Sequence, residues 1–171
     1  MSHESYLRSQ KVLHWLLAVL LLFWLFVSGE LVEEAEGADK ATILIFHSSG
    51  ALIILALMLW RLKLRSDHPV APLEQLKTWE QIWGKRVHLL FYILVPLMVF
   101  SGLLQGLFLD TDVRLFGVFN IAQMSNEAAQ DVFHTAHGII ANILKLLILL
   151  HILAALKHQF IDRQKFIRRM F

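Results

Sequence analysis

The sequence contains no cysteine. Disulfides, iron–sulfur clusters, thiolate zinc sites, thioether-linked cofactors and cysteine nucleophiles are therefore excluded. Proline occurs three times and glycine eight times in 171 residues, too seldom for a collagenous or low-complexity chain. Charge is scarce as well: 18% of residues are Asp, Glu, Lys or Arg, against about 25% in soluble domains. What is abundant is apolar. Hydrophobic residues other than glycine make up 57%, whereas soluble domains reach about 45–50% with glycine included. The mean hydropathy is +0.57, and a 19.8 kDa chain cannot fold that much apolar side chain away from water. A soluble globular domain, a disordered chain and a secreted disulfide scaffold are excluded. The solvent is a bilayer.

Four stretches have the ~20 apolar residues that a crossing needs. They are residues 12–31, 41–64, 87–109 and 135–156. Lipid forces their backbones to bond to themselves, so the fold class is all-α, an integral membrane four-helix bundle. The first stretch is too long for a signal-peptide core and has no Ala-x-Ala-like site after it. With no internal repeat, residues 1–171 read as a single transmembrane domain. Thirteen of the sixteen Lys and Arg residues fall in the N-terminus, the second-to-third connection and the tail. The positive-inside rule then puts both termini in the cytoplasm. The other two connections hold nine acids against Lys40 and Arg114. The remaining base, Lys145, lies inside the fourth span, where no acid of any span is visible to pair with it. Ser125 or Asn126 can cap the fourth helix, with Glu127 in its first turn favoured by the helix dipole. Residues 114–123 read as an interfacial loop or short helix, and Pro96 should bend the third span.

Nine histidines stand out in such a chain. An ionisable group in a span is costly and marks function by default. His137 and His151 are fourteen residues apart, which at ~100° per residue falls about 40° short of four turns, so both share one face. At ~1.5 Å per residue they sit about 21 Å apart along the axis, one near each leaflet. His14 enters the first span at the depth of His151, and His47 enters the second at the depth of His137. Two depth-matched pairs, His14–His151 and His47–His137, suit two stacked haems b with iron held by histidine alone. Zinc would want three or four ligands at one depth. His134, three residues from His137, is the rival ligand at the outer end or a partner for an outer propionate. Gly50 and Gly138 either let a flat macrocycle approach the backbone or serve small-residue helix packing. Arg61 and Arg65, with Arg8 and Lys11 behind them, either bind inner propionates or snorkel to lipid phosphate. His88 and His158, at the inner ends of the third and fourth spans, are quinone candidates or plain interfacial residues. His3 and His68 read as solvated loop residues.

At these residues the chain resembles the bacterial cytochrome b561 family, a branch of the wider di-haem cytochromes b that includes hydrogenase and formate dehydrogenase membrane subunits. The matching features run in order: Leu13-His14-Trp15, His47-Ser-Ser-Gly50, Arg61-Leu-Lys-Leu-Arg65, His88-Leu-Leu-Phe-Tyr92 through Pro96 and Gly102, His137 with Ala141-Asn142, and His151 through His158. The resemblance covers about residues 8–160, and the ordered set carries it rather than any one motif. It implies that His14, His47, His137 and His151 ligate two b haems, which agrees with the pairing by depth. It also implies electron transfer between membrane quinone, ubiquinone or a relative, and a periplasmic redox protein or small oxidant or reductant. Some members oxidise superoxide and reduce ubiquinone. The acidic outer connections speak against an anionic substrate and suit a basic protein partner or plain solvation. A haem-bearing anchor subunit of a larger redox complex is the other alternative. Membrane lipid and quinone are the expected partners, and nucleic acid is not.

Overall fold

A computed structural model describes residues 6–71, 76–164 and 167–171. His3 lies outside the described residues. Four helical rods form an antiparallel bundle, each longer than its apolar stretch. The first rod is α1 (Arg8–Phe23), a π-helical turn at Trp24–Ser28, and α2 (Gly29–Glu34). The others are α3 (Gly37–Asp67), α4 (Thr78–Leu107) and α5 (Glu127–Leu156), the last followed by a second π-helical turn at Lys157–Ile161. The fold is therefore an all-α four-helix membrane bundle. The first turns of α1 and the C-terminal residues lie at one end of it: the Lys11 ammonium donates to the Phe171 carbonyl (2.7 Å) and the Trp15 indole N–H to Met170 O (2.8 Å). This end is called inner and the opposite end outer.

The helix ends follow from local chemistry. The Asn126 side chain accepts from Ala129 N–H (3.1 Å) at the start of α5, the capping position expected from sequence. Glu80 accepts from Lys77 N–H (3.0 Å) at the start of α4. Buried Gln10 ties two rods together, donating to Leu64 O and His68 O at the end of α3 while accepting from Leu7 N–H. Leu64 O already accepts from His68 N–H (3.0 Å), so Gln10 is its second donor, whereas His68 O at the cap has passed the last helical donor and takes the Gln10 amide in its place. His68 is accordingly part of a half-buried helix cap rather than a loop. α4 runs unbroken through Pro96, whose ring nitrogen has no hydrogen for the Tyr92 carbonyl.

The interior is thin. Leu13, Leu17, Leu25, Ile54, Met58, Val95 and Leu144 form one buried cluster, with contributions from all four rods. Most other apolar side chains point outward, such as Val19 (65% exposed) and Leu146 (57%). This is the pattern of a bundle whose outside is lipid.

Two expectations need correction. Residues 114–123 form neither a plain loop nor a helix. They contain a β-hairpin, β1 (Arg114–Leu115) paired antiparallel with β2 (Phe119–Asn120). Lys145 does have an acid: its ammonium lies 3.9 Å from Glu30 and 5.4 Å from the centre of the Phe26 ring. The first rod continues to Glu34, so Glu30 belongs to the rod and not to a connection.

Leu144 is 1% exposed and touches the cluster from α5. Leu144→Ala should cost about 2–5 kcal/mol through the cavity it leaves. The measurement is the midpoint of unfolding in a denaturing detergent titration, which should fall, whereas Leu146→Ala on the lipid face should leave it nearly unchanged.

Candidate functional site

α5 carries His137 and His151 on one face, and each meets a histidine from another rod. The His14–His151 ring centres are 6.3 Å apart, with planes at 67°. The His47–His137 ring centres are also 6.3 Å apart, at the same 67°. Two imidazoles joined by a direct hydrogen bond of ~2.9 Å would sit closer, at about 5 Å between centres. Two imidazoles facing one metal ion across metal–nitrogen bonds of about 2.0–2.1 Å would sit about 6 Å apart. At 6.3 Å both gaps are too wide for the direct hydrogen bond and close to the second distance, within the range of edge-to-face ring contacts.

The outer pair is held by two serines that the sequence reading did not single out. Ser28 Oγ lies 2.9 Å from His47 Nδ1, and Ser101 Oγ lies 3.0 Å from His137 Nδ1. Ser28 is 1% exposed and Ser101 6%. The Ser101 hydroxyl proton goes to Met98 O (2.9 Å). Its oxygen must then accept from His137, which places the imidazole proton on Nδ1 and leaves a lone pair on Nε2. That is the tautomer a metal ligand needs, fixed by a hydroxyl behind it. Gly102 lets the ring lie against α4, because a Cβ there would come within 2.9 Å of His137 Cε1. Gly50 faces the Trp24 indole, which occupies the place of a Cβ and donates to His47 O (3.0 Å). Of the two roles open to Gly50, the structure displays packing. Gly138 has open space beside it. His134 lines the same outer cavity as His47 and His137, with its Nδ1 3.1 Å from the Gln105 amide nitrogen.

The inner pair borders a cavity that also holds Arg61, His88, Tyr92 and Arg169. Arg61 donates to the Tyr92 hydroxyl (2.8 Å) and lies 3.2 Å from His14 Nδ1. His88 has its ring centre 5.7 Å from that of His151, making it a third imidazole in this cavity. Arg65 follows one turn later on α3, half-buried. Arg8 is exposed and Lys11 is engaged by the chain end. The two quinone candidates separate here. His158 is buried away from the cavity, with Nδ1 2.8 Å from Asp162. The Lys157 ammonium bridges Asp162 (2.7 Å) and Glu80 (3.2 Å), sitting among carboxylates where a metal cation would otherwise be drawn.

The tail closes this end. Ile167, Arg169 and Met170 line the inner cavity, and Arg169 donates to Ala71 O (3.0 Å). A sequence signal existed for Ser28 and Ser101, as lone hydroxyls in apolar runs. None existed for the tail, whose position depends on the whole bundle.

The Lys157 ammonium, and after it His158, holds the Asp162 carboxyl below its ordinary value. The ionised form is favoured by folding, so this contribution is complete above about pH 4 and drains away as pH falls toward the lower folded value. Amide exchange across residues 157–164 should therefore accelerate below about pH 4. Asp162→Asn should exchange fast already at pH 6; a slow Asn variant would show that the cluster does not hold the turn.

Residues 5–171 match the family model described as prokaryotic cytochrome b561. The chain is also 27% identical over 164 residues to cytochrome b561 homolog 2 of Escherichia coli (strain K12), an overlap covering 92% of this chain and 86% of that protein. With four apolar rods of membrane-spanning length and this match along nearly its whole length, the chain belongs to the prokaryotic cytochrome b561 family of multi-pass membrane cytochromes.

Proposed function

We propose that this protein is a di-haem cytochrome b that conducts electrons across the bacterial inner membrane, between a periplasmic redox partner and the quinone pool near its inner end. His14 and His151 would hold the inner haem, His47 and His137 the outer one. The observation that carries the reading is the equal 6.3 Å separation of both imidazole pairs, at two depths, on one face of α5. Haem b would supply, when bound, a reversible one-electron centre, and ligation by two histidines would suit it to electron transfer rather than oxygen binding. Both termini then face the cytoplasm, because thirteen of sixteen bases lie at the inner end or on connections leading to it. Residues 1–171 act as one domain in this reading.

The protein's part is to hold, insulate and bias. Ser101 fixes the His137 tautomer, and Ser28 steadies His47. Arg61 raises a conflict at His14 that a bound haem would have to resolve. A guanidinium only donates, so toward Arg61 the His14 Nδ1 must accept, which puts the imidazole proton on Nε2. Ligation through Nε2 requires the opposite tautomer, so Arg61 must let go. The carboxylates of a haem offer it a better, charge-assisted partner. Arg61 thus serves as a propionate clamp, with Arg169 across the same cavity. His88 borders that cavity and is placed to hydrogen-bond a quinone headgroup. The His158–Asp162–Lys157–Glu80 cluster offers exchangeable protons at the cytoplasmic end.

Charge also distinguishes the two sites. Arg61 and Arg169 line the inner cavity, while Glu33 borders the outer one. Cations stabilise an added electron and an anion opposes it, so the inner site has the higher potential of the two.

Purified protein should show a reduced-minus-oxidised spectrum of b haem at two per chain. His47→Ala or His137→Ala should remove one haem and leave the other; retention of both haems after either replacement, or loss of both, would sink the pairing. A redox titration should resolve two potentials. Arg61→Gln should lower the higher one and leave the lower one in place, and a drop in the lower one instead would assign the higher potential to the outer site.

A further inference from the structure

The outer connection between α4 and α5 carries an unusual combination. Its hairpin reverses through Phe116 and Gly117, both at positive φ (54° and 73°). Paired positive φ values suit the right-handed twist of a hairpin, but a phenylalanine is a costly residue to place there. The side chains at the tip are apolar and uncovered: Phe116 is 54% exposed, Val118 68% and Phe119 68%. The base is polar and bonded to itself, with Asp112 accepting from both Arg114 (2.9 Å) and Asn120 (2.8 Å). An aromatic tip held in strained backbone and pointed at water would be doubly unfavourable.

The tip reaches back along α3. Phe116 N–H donates to Ser49 Oγ at 2.7 Å. Ser49 lies on α3 two residues past His47 and nine past Lys40, about 13 Å along the axis at ~1.5 Å per residue from the last outer charge. The tip is therefore level with the apolar part of α3, in the outer half of the bilayer. The backbone obeys the rule for lipid, where every donor needs a partner within the protein. Phe116 N–H has Ser49, Gly117 N–H has Arg114 O (3.3 Å), and Val118 N–H has Leu115 O (3.0 Å).

We infer that the outer hairpin is a re-entrant element that inserts tip-first into the outer leaflet, with its apolar tip in acyl chains and its Asp112–Arg114–Asn120 base at the headgroups. Acyl chain is the occupant that the depth, the exposed aromatic tip and the internally bonded turn all fit. The stem has a second part to play. Val113 and Ile121, on either side of the hairpin, line the outer cavity, and a Cβ on Gly106 would come within 3.0 Å of Ile121. Anchoring the tip in lipid therefore fixes the roof over the outer imidazole pair. None of this depends on what that pair holds.

The absence of cysteine makes the test direct. Val118→Cys carries one nitroxide label in the full chain, reconstituted in lipid nanodiscs, and its collision with oxygen is compared with that of a water-soluble nickel chelate. Lipid-facing Leu146→Cys and outer-connection Glu36→Cys bracket the scale. The label at 118 should behave as the one at 146, with oxygen dominant by several-fold. A profile like that at 36 would overturn the inference by placing the tip in water. Shielding from both relaxants, with a short label-to-label distance, would overturn it by placing a second copy there. Phe119→Cys repeats the measurement should Val118→Cys fail to elute as native-sized protein.

Discussion

The spacing of His137 and His151 on α5 governs the rest of the bundle. Fourteen residues of helix return to almost the same face while advancing about 21 Å, so one rod presents imidazoles at two depths along a single line. Any partner for them must come from a rod beside that line, at the matching depth. The antiparallel order provides this, because α1 reaches His14 soon after leaving the inner end and α3 reaches His47 soon after leaving the outer end. Both pairs then settle at 6.3 Å, although they come from different rods and lie in different surroundings. The two pairs thus repeat one geometry at two depths.

The packing is what such a gap allows. The buried cluster lies between the two histidine levels, with Leu17, Leu25, Ile54, Val95 and Leu144 at its centre. In lipid there is little hydrophobic gain from closing helices on each other, so van der Waals contact and hydrogen bonds decide where they touch. At the outer end, contact is made where small residues permit it, with Gly102 against the His137 ring and Gly50 against Trp24. At the inner end, Gln10 stitches α1 to α3 and the tail folds across Trp15 and Lys11.

Much of this was legible before any coordinates. Apolar length gave the rods, and residue spacing gave His14–His151 and His47–His137 as neighbours, because helix geometry converts sequence number into depth and azimuth almost without freedom. What escaped was set by contacts between rods. Ser28 and Ser101 are ordinary hydroxyls until the neighbouring helix places an imidazole nitrogen against them. His88 and His158 looked equivalent at two helix ends; a π-helical turn at Lys157–Ile161 and the pull of Asp162 draw His158 out of the cavity that His88 shares. The hairpin was hidden because a two-residue strand leaves no periodicity to read. Its strongest clue, an aromatic at a left-handed position, exists only in the backbone.

Lys145 shows how direction along a helix settles a question that position alone left open. Counted by residue number, Glu30 lies well outward of Lys145, about 15 Å at ~1.5 Å per residue. But every helical side chain leans toward the N-terminus of its own helix. α5 begins at the outer end, so Lys145 leans outward. The first rod begins at the inner end, so Glu30 leans inward. Two long side chains on antiparallel rods close the difference and bring the ammonium to 3.9 Å from the carboxylate. Phe26, one turn before Glu30, offers its ring face on the way. The lysine side chain is 29% exposed, against 60% for the glutamate, so the pair works as a tether from the lipid-facing interior to the outer surface. The same pair on parallel rods would lean the same way and never meet. An intramembrane charge that reads as unpaired by depth is therefore paired by topology, and its acid is to be sought toward the N-terminal end of its own helix, on a neighbour running the other way.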